Sequence, residues 1–171
     1  GKEVYHFSAL AQALSTYAAM CGDKLRKQGS CAGIVTIFIL TNPFKHQCRM
    51  NYKGIKTIRL DTPTNDSLEI VSIAMGGLRS IYRRDCIYKK AGVIVSGIVP
   101  KSQVQLSFFD NIEDIKKRHR LMQAVDAVNN SFGRMKIRLA INGFERKWKV
   151  RQERLSPSYT TRMDELLSVS A

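Results

Sequence analysis

Residues 33–41 are GIVTIFILT and contain the longest apolar run of the chain, from Ile34 to Leu40. The run is rich in β-branched and aromatic side chains, which favour strands, and only Thr36 interrupts it. A membrane-spanning helix needs about 20 apolar residues, so this run predicts no membrane insertion. It predicts a strand that is apolar on both of its faces.

Helical and extended patterns alternate on either side of this strand. Before it, apolar side chains three or four residues apart predict a helix over residues 8–27, and after it residues 55–61 alternate as a second strand. Asp66 followed by Glu69 resembles a capping box and predicts the start of a second helix. Residues 91–99 predict a third strand, so the order is helix–strand–strand–helix–strand.

This order predicts an α+β fold, the split β-α-β sandwich. We expect its first strand to lie largely before Gly1, as it would in a fragment of a longer protein. A four-stranded antiparallel sheet would then carry two helices on one face and leave the other face open. If Ile58 points to the helices, Thr57 and Arg59 lie on the open face. Such a face suits phosphates, although one alternating strand fits a solvated surface equally well.

The charge of the chain points to a polyanionic partner. There are 28 basic and 14 acidic residues, a formal net charge of +14. This excess favours duplex DNA, RNA or an anionic membrane, whereas solubility alone would need a smaller one. We predict that residues 1–99 form a domain that binds such a partner through its phosphates. The predicted contacts are six residues on strands and loops: Lys53, Lys56, Thr57, Arg59, Lys89 and Lys90.

Residues 100–110 are predicted to be a linker that carries a short binding peptide, Gln105-Leu106-Ser107-Phe108-Phe109. A glutamine amide, a leucine and two adjacent aromatics make a compact plug for a hydrophobic pocket. The peptide resembles the sliding-clamp-binding peptide of bacterial DNA polymerases and repair proteins, roughly Gln-Leu-x-Leu/Phe-Phe. We expect an exposed tether to the replicative sliding clamp. The alternative is that Leu106 and Phe108 end a strand or hold the linker on a core.

Residues 111–171 are predicted to form a small α+β C-terminal domain. Asp110 or Asn111 can cap a helix that runs to about residue 130 and carries a run of basic side chains, and residues 137–141 alternate as a half-buried strand. Residues 144–150 can return as a second strand. Because about 60 residues make a marginal independent core, this segment either packs on the first domain or orders on a partner.

A single tryptophan, Trp148, lies in this C-terminal part. We expect it to bury against Ile137, Leu139 or the helix face that carries Met122 and Val125. The alternative is that it stacks on single-stranded DNA.

The sequence predicts neither catalysis nor a cofactor for this chain. The acidic residues form no convincing pair for Mg²⁺ on adjacent strands. The four cysteines lack metal-ligand spacing, which fits reduced thiols in a cytoplasmic protein.

Residues 148–161 are WKVRQERLSPSYTT and closely resemble the C-terminal signature of UmuC-like proteins, the catalytic subunits of DNA polymerase V in the Y family of lesion-bypass polymerases. Further pieces agree in order with this family, together with the clamp-like peptide: TNPF at 41–44, KAGV at 90–93, LMQA at 121–124 and GF at 143–144. One departure is Met163, where the family often has tryptophan.

The resemblance implies an arrangement of domains and partners. Residues 1–99 would be the little-finger domain that grips duplex DNA, and residues 111–171 the small C-terminal domain of UmuC-like proteins. The palm with its Mg²⁺-binding carboxylates would lie N-terminal to this chain, in a polymerase that acts in DNA repair and SOS mutagenesis. UmuD-type accessory subunits and the recombinase filament are further implied partners.

Two other classes of protein remain open from the residues themselves. An RNA-recognition motif has a similar sandwich, but no segment matches its aromatic strand motif. A protein-interaction adaptor would use only the peptide at residues 105–109 and the C-terminal signature. Salt-dependent binding of duplex DNA separates these possibilities.

Overall fold

The structure is a computed structural model that describes residues 3–43, 51–105, 111–144, 148 and 155–165. Its helices and strands, in chain order, are α1 (Phe7–Lys27), β1 (Ser30–Thr41), β2 (Lys53–Thr64), α2 (Ser67–Ile81), β3 (Tyr88–Pro100) and α3 (Ile112–Phe132). Short 3-10 turns occupy Lys101–Gln103, Ala140–Asn142 and Met163–Glu165. The predicted order of helices and strands in the first hundred residues is confirmed.

The three described strands form an antiparallel sheet in the order β2-β1-β3. Beyond β3, Val4 forms an isolated antiparallel bridge to Tyr88, with two backbone hydrogen bonds of 2.9 Å. The α+β class is therefore confirmed. Within the described residues, Val4 alone represents the predicted fourth strand.

Both α1 and α2 cover the same face of this sheet. The side chains of Val35, Ile37 and Ile39 on β1 are fully buried beneath them. Apolar side chains of α1 and α2 join these three in one core cluster, at a spacing of four residues along each helix: Leu10, Leu14, Ala18, Ile70, Ala74 and Leu78. The intervening residues of β1, including Phe38, are only half-buried. Although β1 is apolar on both faces, the helices cover one of them.

The start of α2 is capped by Asp66 as the sequence predicts, but Glu69 bonds to a different residue. Asp66 is the N-cap, and its carboxylate accepts a hydrogen bond of 2.8 Å from the Leu68 amide. The Glu69 carboxylate accepts a bond of 2.7 Å from the Thr64 hydroxyl, at the end of β2. The predicted helix start is confirmed, and Glu69 ties it to the preceding strand.

A partly buried ion pair holds α3 against α1. The Arg26 guanidinium donates to both carboxylate oxygens of Asp126 on α3, at 2.6 and 2.7 Å. Its remaining nitrogen donates to the Asn65 carbonyl and the Ser67 hydroxyl, both at 2.8 Å. The Arg26 side chain is 9% exposed. One side chain thus joins the end of α1, the start of α2 and the middle of α3.

The predicted strand at residues 137–141 is wrong. Its backbone turns instead, through bends and a 3-10 turn at Ala140–Asn142. The Asn129 side chain accepts from the Ile137 amide at 2.9 Å and donates to the Ile137 carbonyl at 3.0 Å. Because the Asn129 side chain bonds to both the amide and the carbonyl of Ile137, the backbone of Ile137 needs no neighbouring strand. The predicted return strand at 144–150 lies mostly outside the described residues.

Trp148 contacts the first part of the chain, through a partner that the sequence did not predict. Its ring meets Tyr17 of α1 edge-on, with ring centroids 5.2 Å apart, and Trp148 is half-buried. Leu139 also packs against the core cluster of the sandwich. In the part of the chain that the structure describes, the C-terminal segment therefore packs on α1 and its neighbours.

The cysteines differ in state. Cys21 is half-buried and Cys31 is buried, both are free thiols, and burial raises the pKa of each. Cys86 is disulfide-bonded, so the expectation of reduced thiols is wrong for this residue. No helix among the described residues has the length and apolar character required to cross a membrane.

Candidate nucleic-acid interface

The face of the sheet that α1 and α2 leave uncovered, called the open face here, carries four transverse rows of residues. The register of the strands places Lys53, Leu40 and Lys90 in the first row and Arg59, Ile34 and Ser96 in the last. The two rows between them are Ile55, Phe38, Gly92 and Thr57, Thr36, Ile94. Cations therefore lie at both ends of this face, and apolar side chains and threonines lie in its middle.

The cations of the open face are available to a ligand. Lys53, Arg59 and Lys90 are all exposed. Within the described residues, no carboxylate lies within ion-pair distance of any of them. Asp61, two residues beyond Arg59 on β2, is also exposed and does not pair with it. Unpaired cations retain their full attraction for phosphate.

The middle of the open face is apolar. Ile55 is 61% exposed and Ile94 is 52% exposed. The Phe38 ring occupies the space above Gly92, where an added Cβ would clash with the ring. The Thr36 and Thr57 hydroxyls are 3.0 Å apart and hydrogen-bonded. The sequence analysis did not predict this exposed apolar strip, although the apolar residues at alternate positions of β1 could have indicated it.

The structure brings together four of the six residues predicted to contact DNA. Lys53, Thr57, Arg59 and Lys90 share the open face. Lys56 pairs with Ile37, whose side chain is buried under the helices, so Lys56 lies on the helix side of the edge strand β2.

The sixth predicted contact, Lys89, lies where the pairing of β1 with β3 is irregular. The irregularity falls between Leu40 and Thr41 of β1, and Lys89 is exposed there. It is adjacent in sequence to the Lys53 and Lys90 row.

The predicted clamp-binding peptide begins beside an anchored turn. The Lys101 amide donates to the Gly29 carbonyl at 2.9 Å and so ties the end of β3 to the loop after α1. Gln105, four residues later, is exposed. The rest of the predicted peptide, Leu106, Ser107, Phe108 and Phe109, lies outside the described residues.

Comparison with known families divides the chain into two matched parts. A family model described as the impB/mucB/samB family C-terminal domain matches residues 1–108. A second, described as a domain of unknown function (DUF4113), matches residues 119–169.

Individual relatives match almost the whole chain. Protein UmuC of Salmonella typhimurium (strain LT2) is 32% identical over 169 residues, which are 99% of this chain and 40% of the relative. Protein ImpB of Salmonella typhimurium is 33% identical over 164 residues, covering 95% of this chain and 38% of the relative. Protein MucB of Escherichia coli is 30% identical over 161 residues, covering 94% and 37%. The chain thus spans about two-fifths of the length of these relatives, and it belongs to the impB/mucB/samB family as a UmuC-like C-terminal portion.

Proposed function

We propose that this chain is the non-catalytic C-terminal portion of an error-prone translesion DNA polymerase of the SOS response. Its open face would hold template–primer duplex DNA by the backbone. The observation that carries this proposal is the set of exposed cations at both ends of that face, Lys53 and Lys90 at one end and Arg59 at the other, which have no carboxylate partner among the described residues. Family membership supports the same conclusion.

The spacing of the cations suits the width of a DNA groove. Lys53 and Arg59 are six positions apart on β2, which is about 20 Å at about 3.3 Å per residue. The major groove of B-DNA is about 12 Å wide, so cations at this spacing can reach phosphates on both of its sides. The apolar strip between them would face the base edges.

The same arrangement predicts little sequence preference. Bases are distinguished chiefly by hydrogen bonds to their edges in the groove. Ile55 and Ile94 have no hydrogen-bonding side chains, and the Thr36 and Thr57 hydroxyls bond to each other. Binding by this face would therefore rest on phosphates.

Neutralising the open face tests the DNA-binding proposal. The triple variant K53Q/R59Q/K90Q should bind duplex DNA more weakly than the parent, and its affinity should depend less on salt. Each phosphate contact contributes about 0.9 to the log–log slope of affinity against salt, so the slope should fall by about 2–3. Fluorescence anisotropy of a labelled duplex, measured from about 50 to 200 mM salt, gives this slope.

A charge-matched control separates specific contacts from general attraction. The variant K24Q/R79Q/R84Q loses three exposed cations on or next to α1 and α2, away from the open face. Its slope should stay close to that of the parent. If both variants lower the slope equally, the attraction is diffuse and the open face is not the binding site.

We propose further that residues 105–109 tether the protein to the replicative sliding clamp. The turn at Lys101–Gln103, anchored on Gly29, would set the peptide off from the sheet, and Gln105 is exposed. A single short peptide should bind with about micromolar affinity, or about −8 kcal/mol. Simultaneous binding of duplex DNA would raise the effective affinity without new contacts.

Alanine at the two anchors tests the tether. L106A/F108A should weaken clamp binding about a hundredfold, because such anchors dominate the energy of a small interface. Duplex binding should be unchanged. S107A, at the variable position of the peptide, is the matched control and should bind the clamp like the parent. Surface plasmon resonance on immobilised clamp measures all three, and parental affinity of L106A/F108A would overturn the tether.

Nucleotidyl transfer and the Mg²⁺ that it needs would belong to the part of the relatives that this chain does not match. A cytoplasmic location would follow from the proposed DNA substrate. UmuD-type accessory subunits and the recombinase filament are proposed as partners on family membership alone.

A further inference from the structure

The two faces of α3 differ in their contacts. The inner face carries Met122, which is 5% exposed, and Asp126, which pairs with Arg26 of α1. Lys116, Lys117 and Arg120 lie within about 100° of the helix circumference and roughly opposite Met122. All three are exposed. These three residues define the outer face of α3.

The cations of this outer face lack acidic partners. Among the described residues, no carboxylate lies within ion-pair distance of Lys116, Lys117 or Arg120. Glu113, in the first turn, is the acidic residue that shares this side of the helix. The next residues on the same side are neutral: Gln123, Ala124 and Ala127. A long ligand could therefore follow the helix without meeting a second carboxylate.

His119, in the third turn of α3, lies beside a further cation. His119 Nε2 lies 2.9 Å from Lys101 Nζ. Burial lowers the pKa of His119, and the positive charges of Lys101 and Arg26 lower it further. A histidine with nearby compensating carboxylates would be shifted the other way. The excess of positive charge therefore extends from α3 to the end of β3.

The fold holds this surface in place and keeps it apart from the first row of the open face. The Arg26–Asp126 pair fixes the middle of α3, and the Asn111 side chain caps its start. Its first turns line a cleft with Thr62 and Pro63, near the end of β2. Lys53 is at the opposite end of that strand, nine residues before Thr62, or about 30 Å away.

We propose that the outer face of α3 is a second nucleic-acid-binding surface, which contacts phosphates in addition to those held by the open face. The helix would contact either duplex DNA or the single-stranded template beyond the primer, which present the same phosphate chemistry. Three exposed cations on one helix can contact the phosphates of a nucleic-acid backbone. They offer no pattern of hydrogen-bond donors and acceptors for distinguishing bases. The inference rests on the proposed function in taking DNA as the ligand.

The test uses the variant K116Q/K117Q/R120Q of the full chain. Glutamine has nearly the same helix propensity as lysine and arginine, so α3 should keep its structure, and circular dichroism checks this. The salt dependence of binding is measured on a blunt duplex, on the same duplex with a template overhang, and on single-stranded DNA. The slope should fall by about 2–3 on at least one substrate, at about 0.9 per duplex contact and about 0.7 per single-strand contact.

Each outcome supports or overturns the proposal. A fall on the blunt duplex assigns the surface to duplex DNA, and a fall seen only with the overhang or the single strand assigns it to the template. If the slope on every substrate equals that of K24Q/R79Q/R84Q, the proposal is wrong, and an acidic protein becomes the partner to test.

Comparison with the open-face variant keeps the two claims separate. If K53Q/R59Q/K90Q binds DNA like the parent while the α3 variant does not, the open-face proposal fails and this one stands. Because the two surfaces share no residue, combining the six substitutions should lower the slope by the sum of the two effects.

Discussion

Replacing Arg26 with methionine is expected to lower the free energy of unfolding by about 3–5 kcal/mol, because it leaves a partly buried carboxylate without its counter-ion. Arg26 makes two bonds to Asp126, at 2.6 and 2.7 Å, and also donates to the Asn65 carbonyl and the Ser67 hydroxyl. Methionine fills similar space and replaces none of these donors. Urea denaturation gives the change in stability, and hydrogen exchange should show the α3 amides losing most protection.

Two further variants test the contribution of the Arg26–Asp126 ion pair. Lys27, the next residue on α1, pairs with Asp23 at 3.1 Å, and its side chain is 53% exposed. K27M should therefore cost at most about 1 kcal/mol. R26M/D126L removes both charges and should be less destabilised than R26M alone, since no unpaired carboxylate remains. Equal losses in R26M and K27M would contradict the importance of this pair.

Replacing Ile37 with alanine is expected to cost about 3–5 kcal/mol, in the upper part of the range for buried isoleucine. Ile37 is fully buried at the centre of β1, beneath α2. Gly77 of α2 has no side chain to fill the hole, since the end of the Ile37 side chain occupies the place of its missing Cβ. A cavity should therefore remain, and urea denaturation measures its cost.

The controls for Ile37 test which face of the sheet is covered. Ile94 is on the open face and 52% exposed, so I94A should cost about 1 kcal/mol or less. G77A alone should be destabilising, because its Cβ would meet Ile37. In I37V/G77A the shorter valine makes room for that methyl group, so this double variant should be more stable than G77A. A loss in I94A as large as that in I37A would contradict one-sided burial.

The elements of the first hundred residues could be predicted because their signals are local. Apolar side chains three or four residues apart marked α1, and alternation marked β2. The Asp66 carboxylate accepts from an amide only two residues away, so the adjacent sequence is enough to predict its role as a helix cap. The order of short motifs from residue 41 to residue 161 was also sufficient to indicate the family.

The same reasoning failed for residues 137–141, whose alternation is typical of a strand. The hydrogen bonds that a strand partner would supply come from Asn129, eight residues earlier on α3. Alternation records which side chains are apolar. It does not record which groups satisfy the backbone, and here a side chain did so.

The contents of the open face and the position of the C-terminal segment depend on packing between distant parts of the chain. The helices and strands of the first hundred residues, and the family, could be predicted from the amino-acid order, since these depend on neighbours within a few residues or on motif order. Because β1 is apolar on both faces, its pattern could not tell which face α1 and α2 would cover. The register that aligns Lys53 with Lys90 joins residues 37 apart, and the Arg26–Asp126 pair joins residues 100 apart. Such contacts form only when the chain packs, because the free energy that selects them comes from burial and charge pairing between distant segments.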